Sequence, residues 1–218
     1  AASPVPGLIP IERMPVAVRT DWVQNSNDSF VHTHPAQRFT GISPLVGDAA
    51  VNRPRTRASH TEIPMLLARG KVDAAAVQRQ LFANRNFIGE TMMPDLLDAC
   101  RNAPPAQAGA RDGCAALQGW DRTSNGESRG AHLFREFWRA VRTTPKLHRV
   151  PFDPARPIET PTGLAMADAE VAAKVWDALD KSVLKVRAAG FALDAPLSSV
   201  QRSVTTDEAI GLHGGDET

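Results

Sequence analysis

Five consecutive hydrogen-bonding side chains stand out at residues 25–29, which read NSNDS. Amides, hydroxyls and a carboxylate suit a strand interior poorly, because Asn, Asp and Ser compete with a β-ladder for backbone hydrogen-bond partners. Trp22 and Val23, which precede the run by one residue, are typical of a buried strand. The run therefore predicts either a turn or a site where amide donors converge on a reacting group.

A cationic cluster follows at residues 53–57, which read RPRTR and place three arginines around a rigid proline. Taken with the polar run, this cluster resembles a signature of the penicillin acylase family. The resemblance is closest to the branch that hydrolyses acyl-homoserine lactones and other long-chain amides.

The resemblance covers roughly residues 10–217 and is carried by short motifs in the order and spacing of that family's β chain. They are Pro35, GISPLV at 41–46, MPDLL at 93–97 with Cys100, CAAL at 114–117 with Trp120 and Asp121, PFD at 151–153, TPTG at 160–163 and GGD at 214–216. One departure occurs at residues 31–35, where VHTHP replaces the usual aromatic-Leu-Thr-Asn-Pro. The resemblance implies an α+β fold class, as part of the four-layer αββα sandwich of N-terminal-nucleophile hydrolases, with this segment mostly helical and carrying a few strands.

The resemblance also implies a mechanism. In this family a precursor (a zymogen) cuts itself, so that a serine becomes the first residue of the β chain and its own α-amino group acts as the base. An α-amine titrates near pH 8, roughly, and can accept the hydroxyl proton without a histidine. The first residues, AAS, resemble the middle of the β chain, and a cut before Ser3 would set Pro4 beside the nucleophile. We therefore expect an internal segment without its nucleophile, inactive alone.

Asn27 is the first candidate catalytic residue. In amide hydrolysis the carbonyl oxygen gains negative charge, and a rigid amide donor aimed at that oxygen stabilises the transition state. The resemblance implies that Asn27 is the oxyanion-hole asparagine, with a backbone N–H from elsewhere in the β chain as its partner. Two alternatives remain: Asn27 ties a turn together, or the triplet NDS at residues 27–29 is a glycosylation sequon.

Arg55 is the second candidate. The resemblance places it beside the nucleophile, where a cation biases the α-amine toward its neutral form and holds Asn27 in place. The alternative is a structural salt bridge. Its neighbours Arg53 and Arg57 are expected to be surface charges or ion-pair partners.

Other catalytic constellations have less support. His32, His34 and His60 could be joined into a zinc site, but no further ligand at characteristic spacing and no cysteine or carboxylate cluster accompanies them. The residue types of a serine triad also occur, at Asp28, Ser29 and His34. No nucleophile elbow goes with them, since residues 41–44 read GISP. We predict no metal and no cofactor.

The net charge and the hydrophobic pattern of the chain limit the classes of partner that it can bind. The 218 residues include 25 basic and 24 acidic side chains, so a net charge of +1 provides no attraction for nucleic acid or an anionic membrane. No apolar run approaches the length of a membrane span. The expected partners are the α chain and the remainder of the β chain of the same precursor, with a small acyl amide as substrate.

The two cysteines, Cys100 and Cys114, flank a segment rich in Pro, Gly and Ala, so the chain can fold back to join them. The resemblance implies a disulfide here, and the alternative is a pair of buried thiols. A disulfide would indicate an oxidising compartment, and we expect a bacterial protein that is periplasmic or secreted.

The chain is expected to contain four regions: an extended arm over residues 1–20, a strand and loop segment over 21–60, a helical region over 61–190, and a loop entering a truncated strand region over 191–218. In the second region, short strands and polar turns alternate to residue 46, and a loop over residues 47–60 carries the arginines. The helical signals are an N-cap at Asp73, a first-turn Pro94, a short helix over 115–119, an apolar stripe over 133–141, an N-cap at Asp168 and a closing Gly190. We expect the stripe to pack in a core rather than to line a ligand groove.

These observations favour a β-chain segment of an amide hydrolase that cleaves acyl-homoserine lactones (quorum quenching) or related long-chain amides. The alternatives are a non-catalytic truncated product, a module that binds a ligand at the polar turn without turning it over, and a β-lactam (penicillin) acylase.

Overall fold

The computed structural model describes residues 6–29, 32–37, 39, 41–43, 52–205 and 208–215. The chain divides into two compact units. The first, which we call the site unit, comprises Ala1–Lys71 with Phe152–Glu159, and the second, the helical unit, comprises Val72–Pro151 with Thr160–Thr218. Within the described ranges the regular structure is helical, and β pairing is limited to isolated bridges. No helix in those ranges is long and apolar enough to cross a membrane.

The site unit contains a turn of 3₁₀-helix at Ile11–Arg13 and the helix α1 at Pro54–Leu67. The prediction of a loop over residues 47–60 is therefore wrong from Pro54 onward. Proline begins a helix well, because its ring sets φ near the helical value and its missing N–H would have no partner in the first turn. Arg55 and Arg57 consequently lie on a helix, whose periodicity separates their side chains.

The strands predicted between residues 21 and 46 do not form among the described residues of that stretch. The β pairing there is an isolated bridge between His34 and Gln37. The reason is local, because side chains within residues 25–29 accept backbone N–H groups that a ladder would use. Residues 30, 31, 38, 40 and 44–51 lie outside the described residues.

The helical unit is built from longer elements. They are α2 (Ala74–Leu81), α3 (Phe87–Asn102), α4 (Ala108–Gln118), α5 (Ala131–Val141), α6 (Ala169–Ala188) and the short α7 (Leu197–Val200). Both predicted aspartate caps are confirmed. The Asp73 carboxylate accepts the N–H of Ala76, and the Asp168 carboxylate accepts those of Glu170 and Val171.

Gly190 ends α6, as predicted. Its φ of +81° lies in the left-handed region that glycine adopts without a Cβ penalty. Its N–H donates to the carbonyl of Arg187 at 2.9 Å, and the N–H of Phe191 donates to that of Val186 at 3.2 Å. This pair of bonds is a Schellman motif, which satisfies carbonyls that the helix end leaves open.

Two helices begin earlier than predicted. Helix α3 begins at Phe87 rather than at Pro94, because the Asn86 side chain accepts the N–H of Gly89 at 2.7 Å and caps an earlier turn. Pro94 lies inside α3. Helix α4 begins at Ala108 rather than near residue 115. Its first turn gains a distant partner, since the Asp180 carboxylate of α6 accepts the N–H of Ala110 at 3.2 Å.

The apolar stripe over residues 133–141 packs in the core of the helical unit, as expected. The side chains of Leu133, Phe137 and Val141 are fully buried, and they belong to one cluster with the apolar face of α6. Phe134 stacks on Trp120 with 4.6 Å between ring centroids. The stripe is therefore used for packing between helices.

The disulfide between Cys100 and Cys114 is present and joins the end of α3 to α4. Both cysteines pack against the apolar cluster. Beyond α6, the chain forms α7 and an isolated bridge between Arg202 and Gly211.

Candidate active site

Residues 25–29 form a turn that its own side chains stabilise. The backbone N–H of Asn27 donates to Oδ1 of Asn25 at 2.8 Å. Asn27 has a φ of 59°, in the left-handed region that asparagine tolerates better than most residues. Its side chain is exposed. The turn therefore presents the Asn27 side chain at the surface of the site unit.

Arg55, in the first turn of α1, binds this turn at two points. Its Nη2 donates to the carbonyl of Ser26 at 3.1 Å and to Oδ1 of Asn27 at 3.2 Å. A guanidinium only donates hydrogen bonds, so the atom that faces it is the carbonyl oxygen of Asn27, and the NH₂ group points away. That NH₂ group makes no hydrogen bond to any other described residue. The two predicted site residues are thus in direct contact.

Asp28 ties the turn to the start of α1. Its Oδ1 accepts the N–H of Ser29 at 2.9 Å, and its Oδ2 accepts the N–H of Arg53 and the hydroxyl of Thr56, both at 2.8 Å. Burial raises the pKa of Asp28, but these three hydrogen bonds and the nearby His32 lower it more, and the net shift is downward. Asp28 is therefore ionised at neutral pH, beside the positive end of a helix.

A buried hydrogen-bonded network supports the turn from behind. The Gln24 side chain donates to the carbonyl of His32 at 2.7 Å and accepts from the hydroxyl of Ser26 at 2.9 Å. The Ser26 hydroxyl also lies 3.1 Å from that of Ser59 on α1. His60, one turn from Thr56, donates from Nε2 to the same His32 carbonyl at 2.6 Å. These bonds fix the backbone that leads into Asn27.

The histidines weighed as zinc ligands make protein contacts. Burial lowers the pKa of His60, and the nearby His32 and His34 lower it further against the raising effect of its hydrogen bond, so the ring is neutral at pH 7. The His34 ring packs on Trp22 with 4.3 Å between centroids, and its Nδ1 accepts the N–H of Ala36 at 3.1 Å.

Arg57 is not a surface charge, which was one of the two roles expected of it; its role as an ion-pair partner stays a prediction. Its side chain is buried, and Nε donates to the carbonyl of Ile158 at 2.7 Å. Burial lowers its pKa to about 10, and the negative charge of Glu159 opposes that shift. Two residues along a helix are separated by about 200°, so Arg55 and Arg57 must face different ways. Recognising the helix from Pro54 would have revealed this division.

The arrangement can stabilise negative charge. It presents the side-chain amide of Asn27, whose oxygen accepts a hydrogen bond from Arg55. The backbone on both sides of Asn27 is held by further hydrogen bonds. A preorganised donor of this kind suits a developing oxyanion, because it needs no reorganisation during the reaction. The roles of Asn27 and Arg55 in catalysis remain predictions, to which this contact adds support.

Comparison with known proteins places the chain in a family. The model of the penicillin amidase family matches residues 2–217. The chain belongs to the penicillin amidase family. The resemblance carried by the polar run, the arginine cluster and the later motifs is thereby confirmed.

Three penicillin amidase relatives illustrate the similarity. The chain is 32% identical over 212 residues to the acyl-homoserine lactone acylase PvdQ of Pseudomonas savastanoi pv. phaseolicola, covering 96% of this chain and 27% of that protein. It is 30% identical over 214 residues to the acyl-homoserine lactone acylase PvdQ of Pseudomonas fluorescens Pf0-1, covering 97% and 27%. It is 31% identical over 232 residues to the aculeacin-A acylase of Actinoplanes utahensis, covering 97% and 27%. The chain thus spans about a quarter of the length of the curated relatives it matches.

Proposed function

We propose that this chain is a β-chain segment of an amidohydrolase that cleaves acyl-homoserine lactones or related long-chain acyl amides. In the complete protein, a serine outside these residues attacks the acyl carbonyl, Asn27 donates to the oxyanion, and Arg55 orients Asn27. The relatives support this substrate class, since they are named acyl-homoserine lactone acylase and aculeacin-A acylase.

The contact between Arg55 and Asn27 carries the proposal. It holds the amide oxygen, and the two N–H donors make no hydrogen bond to the described residues and lie on the exposed side, from which a substrate carbonyl can approach. Loss of one such donor in an acyl-transfer enzyme costs a factor of about 10²–10³ in turnover. A backbone N–H from elsewhere in the β chain completes the pair of donors.

The proposal includes the surroundings of the site. The complete protein adopts the four-layer αββα fold, and this segment packs against the α chain and the remainder of the β chain. It works in the periplasm or outside the cell, where an oxidising environment keeps the bond between Cys100 and Cys114. The disulfide in the helical unit supports that location.

The test uses the complete, processed protein and substitutions at Asn27. Asn27→Asp keeps the size, the tolerance of left-handed backbone and an oxygen for Arg55, but it removes both N–H donors. We expect at least a tenfold loss of turnover, rising to the factor of about 10²–10³ that one lost oxyanion donor costs, with near-normal stability. Asn27→Ala should lose a similar factor. The readout is mass-spectrometric detection of the free fatty acid from acyl-homoserine lactones of several chain lengths, with penicillin G in a parallel arm.

Asn84 offers a matched control, because it is another asparagine with positive φ and its Nδ2 donates to Asn125 at 2.8 Å. Asn84→Asp should change stability and leave turnover unchanged. Full turnover by Asn27→Asp would remove the oxyanion assignment. Binding of the acyl-homoserine lactone without release of fatty acid by the wild-type protein would favour a binding module instead.

A further inference from the structure

We infer that Asp28 is the positioning residue of this site, because its carboxylate clamps the turn that carries Asn27 to the helix turn that carries Arg55. This inference rests on the proposed function of the site and names the group that sets its geometry. Asp28 acts through Asn27, since its own hydrogen bonds go to Ser29, Arg53 and Thr56.

Three hydrogen bonds to the Asp28 carboxylate join the turn to α1. One carboxylate oxygen accepts from Ser29, within the turn. The other accepts from Arg53 and Thr56, at the beginning of α1. The N–H groups of the first helical turn have no partner within the helix, so an aspartate supplied from outside satisfies one of them and complements the helix dipole. A single side chain therefore joins two segments that lie 25 residues apart in sequence.

The two catalytic candidates lie beside these anchors in sequence. Asn27 directly precedes Asp28, and Arg55 lies between Arg53 and Thr56. Thr56 is fully buried, so its hydrogen bond to Asp28 is shielded from water. The contact of Arg55 with Asn27 is exposed and 3.2 Å long, and a flexible arginine holds an amide in one orientation only if both backbones are already fixed. Asp28 provides that fixation.

The substitution Asp28→Asn tests whether both carboxylate oxygens are needed. A carboxylate can accept on both oxygens, whereas an asparagine has one oxygen and one NH₂ group. In Asp28→Asn, the NH₂ group must face the N–H of either Ser29 or Arg53, and two donors then oppose each other. The substitution keeps the volume of the side chain and breaks the clamp at one end.

The test again uses the complete, processed protein, with acyl-homoserine lactone as substrate. Asp28→Asn should lower kcat about tenfold with little change in KM, because the lost hydrogen bond misplaces a group that acts in the transition state. In the Asn27→Ala background, the same substitution should lower kcat by less than about twofold, since the group that it positions is already absent. A purely structural role would give equal factors in both backgrounds.

A second pair of variants guards against a folding defect. Thr56→Val removes one of the three bonds and should lower kcat about threefold, whereas Thr56→Ser keeps the hydroxyl and should stay near wild type. Asp168→Asn is the control for removing an aspartate charge at a helix start, because that aspartate accepts the N–H groups of Glu170 and Val171 at the start of α6. It should leave kcat unchanged.

The outcomes separate the two hypotheses. If Asn27→Ala alone retains full turnover, the oxyanion assignment fails, and the role of Asp28 fails with it. If Asn27→Ala loses turnover but Asp28→Asn and Thr56→Val both retain it, only the positioning role is overturned. Equal losses from Asp28→Asn in both backgrounds would also overturn it. Non-additive losses, with recovery in Thr56→Ser, would support it.

Discussion

Replacing Arg55 provides the sharpest test of how the site is organised. Arg55→Leu in the complete, processed protein removes both hydrogen bonds to the turn and the positive charge. Arg55→Lys keeps the charge but presents an ammonium point charge in place of a planar fork. The two variants separate the electrostatic effect of the residue from its geometric effect.

The magnitude follows from the contacts. One nitrogen makes both bonds, at 3.1 and 3.2 Å, which is the long end of the range for N–H donors to oxygen. A net hydrogen bond contributes about 0.5–1.5 kcal/mol. Because Arg55 is exposed and screened by solvent, its bond to the Asn27 amide and its bond to the Ser26 carbonyl together hold the turn and that amide by roughly 1–2 kcal/mol. Losing that free energy lowers the population of correctly oriented Asn27, and with it kcat, by a factor of about 5–30.

The assay is the pH dependence of kcat/KM for an acyl-homoserine lactone. Arg55→Leu should show the full loss and an acidic limb moved to higher pH, since in the proposed mechanism the arginine lowers the pKa of the α-amine that acts as base. Arg55→Lys should lose less and keep the position of that limb. Arg69→Leu is the control, because its exposed side chain makes no hydrogen bond or ion pair with the described residues. An unaltered rate and pH profile in Arg55→Leu would refute both roles of the arginine.

Two further predictions concern the helical unit. Replacing Cys100 and Cys114 together by serine should destabilise the helical unit by about 3 kcal/mol, as expected for a disulfide that closes a loop of this length. Faster hydrogen exchange in α3 and α4 would report this loss. Two free thiols in the unfolded, unreduced wild-type protein would contradict the disulfide. His132 is buried and donates to the carbonyl of Ala192 at 3.0 Å, and burial lowers its pKa against the raising effect of that bond. When the pH falls through the ordinary histidine pKa of about 6.5, His132 is protonated in the unfolded chain but stays neutral in the folded chain. The free energy of unfolding therefore decreases as the pH falls from about 7 to 5.5. The apparent unfolding midpoint should fall less over this range in His132→Gln than in wild type, and equal falls would count against the assignment.

Local signals in the sequence were sufficient for several features of this protein. The caps at Asp73 and Asp168 and the helix end at Gly190 depend on bonds between residues at most five positions apart, so the residue types alone predict them. The helical spacing of the apolar residues over 133–141 likewise predicts that this face of the helix is buried. The polar run, the arginine cluster and the later motifs indicated the family as a set, because their residue types occur in one order and spacing along the chain.

Only the tertiary structure determined which residues that are distant in sequence bind each other. Arg57 is buried because it reaches a carbonyl 101 residues away, and α4 begins at Ala108 with help from an aspartate 70 residues away. In the sequence Asp28 was a polar residue of the turn and a weakly supported triad candidate, yet its carboxylate accepts hydrogen bonds from Arg53 and Thr56 at the start of α1. The physical reason is common to all three cases. A hydrogen bond between distant segments depends on which surfaces folding brings together, and periodicity along the chain carries no record of that partner.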